Sequence, residues 1–131
     1  MASIFTKIIN REIPAFVVAE NEHCIAFLDI KPLAKGHTLV VSKKEVDYIF
    51  DLDSTLLNEL MQFSKRVAKA IDACKFAKRT GVAVIGLEVP HAHVHLVPIN
   101  GISDIEFSKP KLELSKDELS EIAVQISSCF I

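Results

Sequence analysis

Pro90-His91-Ala92-His93-Val94-His95-Leu96-Val97-Pro98-Ile99 places three of the chain's five histidines at alternate positions of an otherwise apolar run. Successive side chains of an extended strand point to opposite faces, so His91, His93 and His95 are expected on one face and Ala92, Val94 and Leu96 on the other. The apolar face packs, and the histidine face is expected to carry chemistry. A single histidine in such a strand reads as a hydrogen-bonded core residue. Three in alternation would each need a separate buried partner, so that reading explains the run poorly. A metal site is the sharper rival, because neutral imidazole binds zinc. At about 3.3 Å per residue, however, His91 and His95 stand roughly 13 Å apart along a straight strand, and zinc–nitrogen bonds are only about 2 Å long. One ion could use two of the three together with a ligand from elsewhere, such as His37.

A row of imidazoles suits an anionic substrate that must be both attacked and protonated, and phosphorus chemistry fits that description. With an ordinary pKa of about 6.5, one imidazole is neutral and nucleophilic near neutral pH while a neighbour donates protons or binds phosphate oxygens. His93, flanked on its own face by His91 and His95, is the best-placed nucleophile.

Outward from this run, apolar spacing predicts a short helix over residues 3–10, with Ile4, Phe5, Ile8 and Ile9 on one side and Pro14 ending it. Residues 15–19 and 24–30 read as a hairpin around Glu20-Asn21-Glu22-His23, with His23 an exposed turn residue. Residues 37–42 form a third strand rich in β-branched side chains. Leu56, Leu60, Phe63, Val67, Ile71 and Cys74 recur at helical spacing over residues 53–75, with Asp53 or Ser54 as the cap. Residues 80–85 and 90–99 supply two more strands joined by a short connection containing Gly86. Ser115-Lys116-Asp117-Glu118 matches a capping box, and Leu119, Ile122, Ala123, Ile126 and Phe130 continue it as an amphipathic helix. Strands arriving as a run with one long helix inserted favour an α+β fold. The expected architecture is an antiparallel sheet of about five strands with the long helix on one face, a short N-terminal helix and a C-terminal helix. Residues 1–131 form one domain, of which 101–131 are a C-terminal extension including that last helix.

Of 131 residues, 50% are hydrophobic and 24% charged, an ordinary balance for a folded domain rather than a disordered chain. The net charge of −2 gives no electrostatic case for a nucleic-acid polymer as partner. No apolar run approaches the roughly 20 residues that span a bilayer, and no basic-then-apolar leader opens the chain, so no membrane partner and a cytoplasmic setting are expected. Cys24, Cys74 and Cys129 are odd in number and far apart in sequence, which suits reduced thiols in a core.

These motifs resemble the histidine triad (HIT) family of nucleotide hydrolases and transferases, closest to its Hint-like branch. The resemblance rests on His91-Ala92-His93-Val94-His95-Leu96-Val97, on Pro32-Leu33-Ala34-Lys35-Gly36-His37-Thr38-Leu39-Val40-Val41, and on Phe27-Leu28-Asp29-Ile30. It extends through Ile4-Phe5-Thr6-Lys7-Ile8-Ile9 and Glu12-Ile13-Pro14, and so covers most of residues 3–99. It implies that His93 forms a covalent nucleotidyl-histidine that water later hydrolyses, with His91, His95 and His37 around the phosphate. It further implies that Asp29 accepts hydrogen bonds from ribose hydroxyls, and that Phe5, Ile8, Ile13, Phe27 and Ile30 form the slot for the base. On the residues alone, Asp29 equally suits a strand-ending turn before Lys31-Pro32, and the apolar set reads as core. A homodimer formed by joining sheets is also implied.

Two departures from the family pattern stand out. Where many family hydrolases carry Gly-Gln-Ser/Thr, this chain has Gly86-Leu87-Glu88-Val89-Pro90, and an ionised Glu88 near a phosphate would repel it. Ser3 and Thr6 stand where some members carry a zinc-binding Cys-x-x-Cys pair, so neither that metal nor any cofactor is expected. The leading function is hydrolysis at the α-phosphate of a purine nucleotide conjugate, a nucleoside phosphoramidate or a dinucleoside polyphosphate, releasing a nucleoside monophosphate. His95 supports water as the final acceptor, because the family's uridylyltransferase branch typically has glutamine there. The alternatives are a nucleotide-binding regulator with weak or no turnover, and a metal-binding protein using two of the triad histidines.

Overall fold

The computed structural model describes residues 2–131. Asn21 builds the first hairpin: its side-chain Oδ1 accepts the backbone N–H groups of His23 and Cys24 at 3.0 and 2.8 Å. This Asx turn joins β1 (Val17–Glu20) to β2 (Cys24–Leu28). With β3 (Thr38–Ser42), β4 (Arg79–Ala83) and β5 (His93–Ile99), these strands make one five-stranded sheet in the order β1-β2-β3-β5-β4, antiparallel throughout. Three helices accompany it, α1 (Ile4–Ile9), α2 (Ser54–Ala73) and α3 (Lys116–Cys129), completing the expected α+β arrangement.

The long helix starts where Asp53 accepts the Leu56 N–H, and the last where Ser115 and Glu118 cap each other reciprocally. Leu60, Phe63, Val67 and Ile71 of α2 pack with Ala26, Leu28, Val40, Val94 and Leu96 from one face of the sheet, and Ala92 just before β5 joins this core. Leu119, Ile122, Ala123 and Ile126 of α3 join the same core. Burying side chains of this size contributes about 1.5–3 kcal/mol each. The opposite face is thinner: Phe5 and Ile8 of α1 cover Ile25, Phe27, Leu39 and Val41. The sheet therefore has a thick, helix-covered side and a lightly covered side, and the histidines emerge on the second.

Three local expectations need correction. The triad strand begins at His93, not at residue 90, because the His91 and Ala92 N–H groups bond to Val89 O and Val46 O at 2.8 and 2.7 Å instead of joining the sheet ladder. The connection from β4 is accordingly not short: it runs over residues 84–92, with Gly86 at φ 74°. Pro14 does not end α1; the helix stops at Ile9, and Arg11 turns the chain with φ 62°. The cysteines are free, but the fold brings Cys74 and Cys129 together, and burial followed by that neighbour pushes the Cys74 thiol up to about 11.

Candidate active site

Residues 32–37 form a tight loop that delivers His37 to the start of β3. Gly36 has φ 95°, a conformation that excludes side chains on steric grounds, and a Cβ there would lie 2.6 Å from the Phe76 ring. The His37 N–H donates to Ala34 O at 3.0 Å, and the Leu33 N–H donates to His37 Nδ1 at 3.0 Å. A nitrogen that accepts carries no proton. Burial, reinforced by His95, lowers the His37 pKa to about 3, so at neutral pH its single proton sits on Nε2. That proton is donated to His95 Nδ1, 3.0 Å away. Burial, then His93, lowers His95 to about 4, which leaves its own proton on Nε2.

The other two triad members are set in the same way. His93 Nδ1 lies 2.7 Å from the His91 carbonyl oxygen, which can only accept, so His93 holds its proton on Nδ1 and keeps the Nε2 lone pair unshared. His91 Nε2 lies 2.7 Å from Ser42 O and must donate to it; its Nδ1 accepts from the Ser3 hydroxyl at 2.8 Å. Burial lowers the His91 pKa, opposed by the bond to Ser42 and the charge of Glu45. His91 precedes β5, yet its ring falls on the same side as His93, and both present to Phe5, with ring centroids 5.8 and 5.0 Å from it.

His93, His95, His37, Asp29 and Ile30 line one cavity of about 560 Å³ together with Lys31, Ile85, Gly86, Leu87, Glu88, Phe107 and Lys111. Of the expected site residues, these five face it. His91 is fully buried and does not line the cavity. Phe5, Ile8 and Phe27 belong to the apolar cluster under α1, with Ile13 packed at its edge, so among the proposed base-slot residues only Ile30 is on the wall. Asp29 takes the turn read from it: Oδ1 accepts the Lys31 N–H at 2.9 Å, while Oδ2 lies 3.7 Å from His37 Nε2. Burial pushes its carboxyl up, against the pull of that N–H.

Phe107 and Lys111 went unrecognised in the sequence. Phe107 stands edge-on to His95 and His37, with centroids 4.6 and 6.3 Å away. The segment carrying them is stitched back over the site by the Leu112 N–H donating to Pro32 O at 2.8 Å. No local spacing announces such a return; Lys109-Pro110-Lys111 reads as an ordinary polar stretch.

Among the described residues one group could offer three ligands to a cation: one atom each of Asp29, His37 and His95 lie within 4.8 Å of one another. It draws on one triad histidine rather than two, and its His37 and His95 nitrogens already share a proton.

A family model described as "HIT domain" matches residues 10–101. An uncharacterized HIT-like protein of Methanocaldococcus jannaschii is 44% identical over 102 residues, covering 72% of this chain and 77% of that protein. An adenosine 5'-monophosphoramidase of Schizosaccharomyces pombe is 31% identical over 130 residues, covering 98% of each. The crystal structure of a Hit-like protein from Bartonella henselae superposes with TM-score 0.84 at 30% identity, covering 98% of this chain and 96% of that one.

Proposed function

The chain belongs to the HIT domain family, and on that premise we propose that it is a nucleotide hydrolase that attacks the α-phosphorus of a nucleoside phosphoramidate. One observation carries the reading: the hydrogen-bond directions leave His93 with a free Nε2 lone pair and His95 with an Nε2 proton, both on the same cavity wall. In the first step His93 Nε2 bonds to phosphorus, and the bond to the leaving amine breaks. The amine takes the bond's electron pair and the proton from His95 Nε2, and that nitrogen stays without its proton until the second step. In the second step water replaces His93 on phosphorus and returns the proton, releasing a nucleoside monophosphate. Holding His93 beside the phosphorus in advance contributes much of the acceleration that such sites achieve. Asp29, with one oxygen free beside the cavity, is the group for the ribose hydroxyls, and Ile30 with Leu87 supplies an apolar wall for the base. The monophosphoramidase relative supports the choice of a P–N bond over a phosphoanhydride.

The altered segment around Glu88 on the same wall favours a second reading, a nucleotide-binding regulator with weak turnover, because it lacks the amide and hydroxyl groups that many family hydrolases carry there. We also assign a homodimer. β4 is an edge strand, and Val82, Val84 and Ile85 at its end are exposed, a surface that a second copy would cover by pairing along that edge. Incubation with adenosine 5′-phosphoramidate tests the choice of function. AMP release by the wild type and none by His93→Ala supports the hydrolase. Stoichiometric AMP binding without turnover supports the regulator. Equal turnover by wild type and His93→Ala removes the histidine mechanism.

A further inference from the structure

Ser3 and Thr6 occupy the positions where the family resemblance would put a zinc-binding cysteine pair, and the residues here do not fit zinc. Hydroxyls are poor donors to that ion beside thiolate and imidazole. The nearest imidazole, His91, has no lone pair to offer: Nδ1 accepts from Ser3 Oγ at 2.8 Å and Nε2 donates to Ser42 O at 2.7 Å. In place of a metal stands a closed set of hydrogen bonds. Glu45, in the loop after β3, accepts from the Ser3 backbone N–H at 2.7 Å and from the Thr6 hydroxyl at 2.5 Å with the same oxygen. Ser3 Oγ in turn accepts the Thr6 N–H at 3.1 Å, capping α1, and gives its own proton to His91. Ser3 is 6% exposed and His91 0%, so the Ser3–His91 bond is made away from water, where it is worth more and breaking it costs more.

We infer that Ser3, oriented by Glu45, is a positioning residue for the nucleophile, acting through His91. The chain of contacts is continuous. Accepting from Ser3 keeps the His91 proton on Nε2, and that proton ties the ring to Ser42 of β3. A ring held at both nitrogens fixes the backbone at residue 91, whose carbonyl accepts the His93 Nδ1 proton. That last bond leaves the lone pair on His93 Nε2, the nitrogen that reacts. The same latch seats α1, whose Phe5 ring packs against both His91 and His93. The titratable groups facing His91 are Glu45 from the loop and His93 from β5. On α1 the Thr6 hydroxyl oxygen also approaches His91 Nδ1, but at 3.5 Å and with its own proton given to Glu45, so the Ser3 hydroxyl is the near donor to that nitrogen.

This inference rests on His93 as the nucleophile for its effect on rate, but the proton placement is testable without turnover. In full-length protein, nitrogen-15 NMR of the histidine rings is expected to show His91 protonated on Nε2 and His93 on Nδ1. In Ser3→Ala, His91 is expected to lose the single form, and kcat on adenosine 5′-phosphoramidate to fall about 10- to 100-fold with KM unchanged, the cost of a misplaced reacting group. Ser3→Thr, which keeps both hydroxyl roles, restores both readouts. Glu45→Gln, at an exposed position, is expected to lower kcat by a smaller factor in the same sense. An unchanged His91 proton in Ser3→Ala, or a changed proton with wild-type kcat, overturns the inference. Should wild-type protein lack phosphoramidase activity altogether, the NMR comparison still decides whether Ser3 sets the tautomer.

Discussion

Replacing Gly36 by alanine tests how the loop before β3 holds His37. Two costs add. The residue sits at φ 95°, in the positive range that side chains disfavour, where a Cβ costs about 1–2 kcal/mol. The new methyl would also lie 2.6 and 2.9 Å from two Phe76 ring carbons and 3.1 Å from Pro98 Cγ. Phe76 packs against the main core with Lys35 Nζ 5.5 Å from its ring centre, so displacing it costs about a further 1–3 kcal/mol. Gly36→Ala is therefore expected to lose about 2–5 kcal/mol in urea unfolding. For a domain of this size that is roughly an 8–20 °C lower Tm. A double-mutant cycle with Phe76→Ala separates the parts, because removing the ring relieves the clash but not the backbone strain. Activity should fall too, since the Leu33–His37 bond is made within the same turn. A Gly36→Ala protein within about 0.5 kcal/mol of wild type would refute this account of the loop.

Buried, neutral His37 and His95, with pKa values held at about 3 and about 4, should make stability fall on acidification. The folded state refuses protons that the unfolded chain takes up below its pKa of about 6.5. Stability is thus full above that value and declines towards pH 4, by at most about 1.4 kcal/mol per pH unit for each ring. Thermal melts from pH 7.5 to 4.5 should show this slope, flatter in His95→Asn; a pH-independent Tm would contradict it. Asp29→Asn should raise KM for a nucleotide about 10- to 100-fold with little change in kcat, the worth of a charged hydrogen bond. The same variant should no longer distinguish ribo- from deoxyribonucleotide substrates, and retained discrimination would remove Asp29 from the ribose. Val82→Lys on the exposed face of the edge strand should convert dimer to monomer in light scattering. A variant that stays dimeric would move the interface elsewhere.

The sheet, its two faces and the capped helices were legible because each leaves a local mark. Strict alternation from Ala92 to Leu96 divides the faces, Asn21 marks the hairpin, and Ser115 with Glu118 marks a helix start. Where long-range bonds compete with the local pattern, the sequence misleads. Residues 90–92 look like strand, yet Val46 O takes the Ala92 N–H, and Arg11 turns the chain before Pro14 can. The site shows the same division. The three histidines and His37 stand out by spacing and neighbours. Glu45, Phe107 and Lys111 carry no motif and reach the histidine face only because the loop after β3 and the segment after β5 fold back across it. The proton directions were equally hidden, since they depend on single backbone groups such as Leu33 N–H and His91 O.

The measurement closest to the central claim is the site of covalent attachment during turnover. Wild-type protein mixed with adenosine 5′-phosphoramidate, quenched within one turnover in alkaline denaturant to preserve a P–N bond, and digested, should yield one peptide carrying a nucleoside monophosphate on His93. His95→Asn should accumulate less of it for want of a proton donor, and His93→Ala none. A nucleotide found on another residue, or AMP released with no adduct at any time point, would contradict the account.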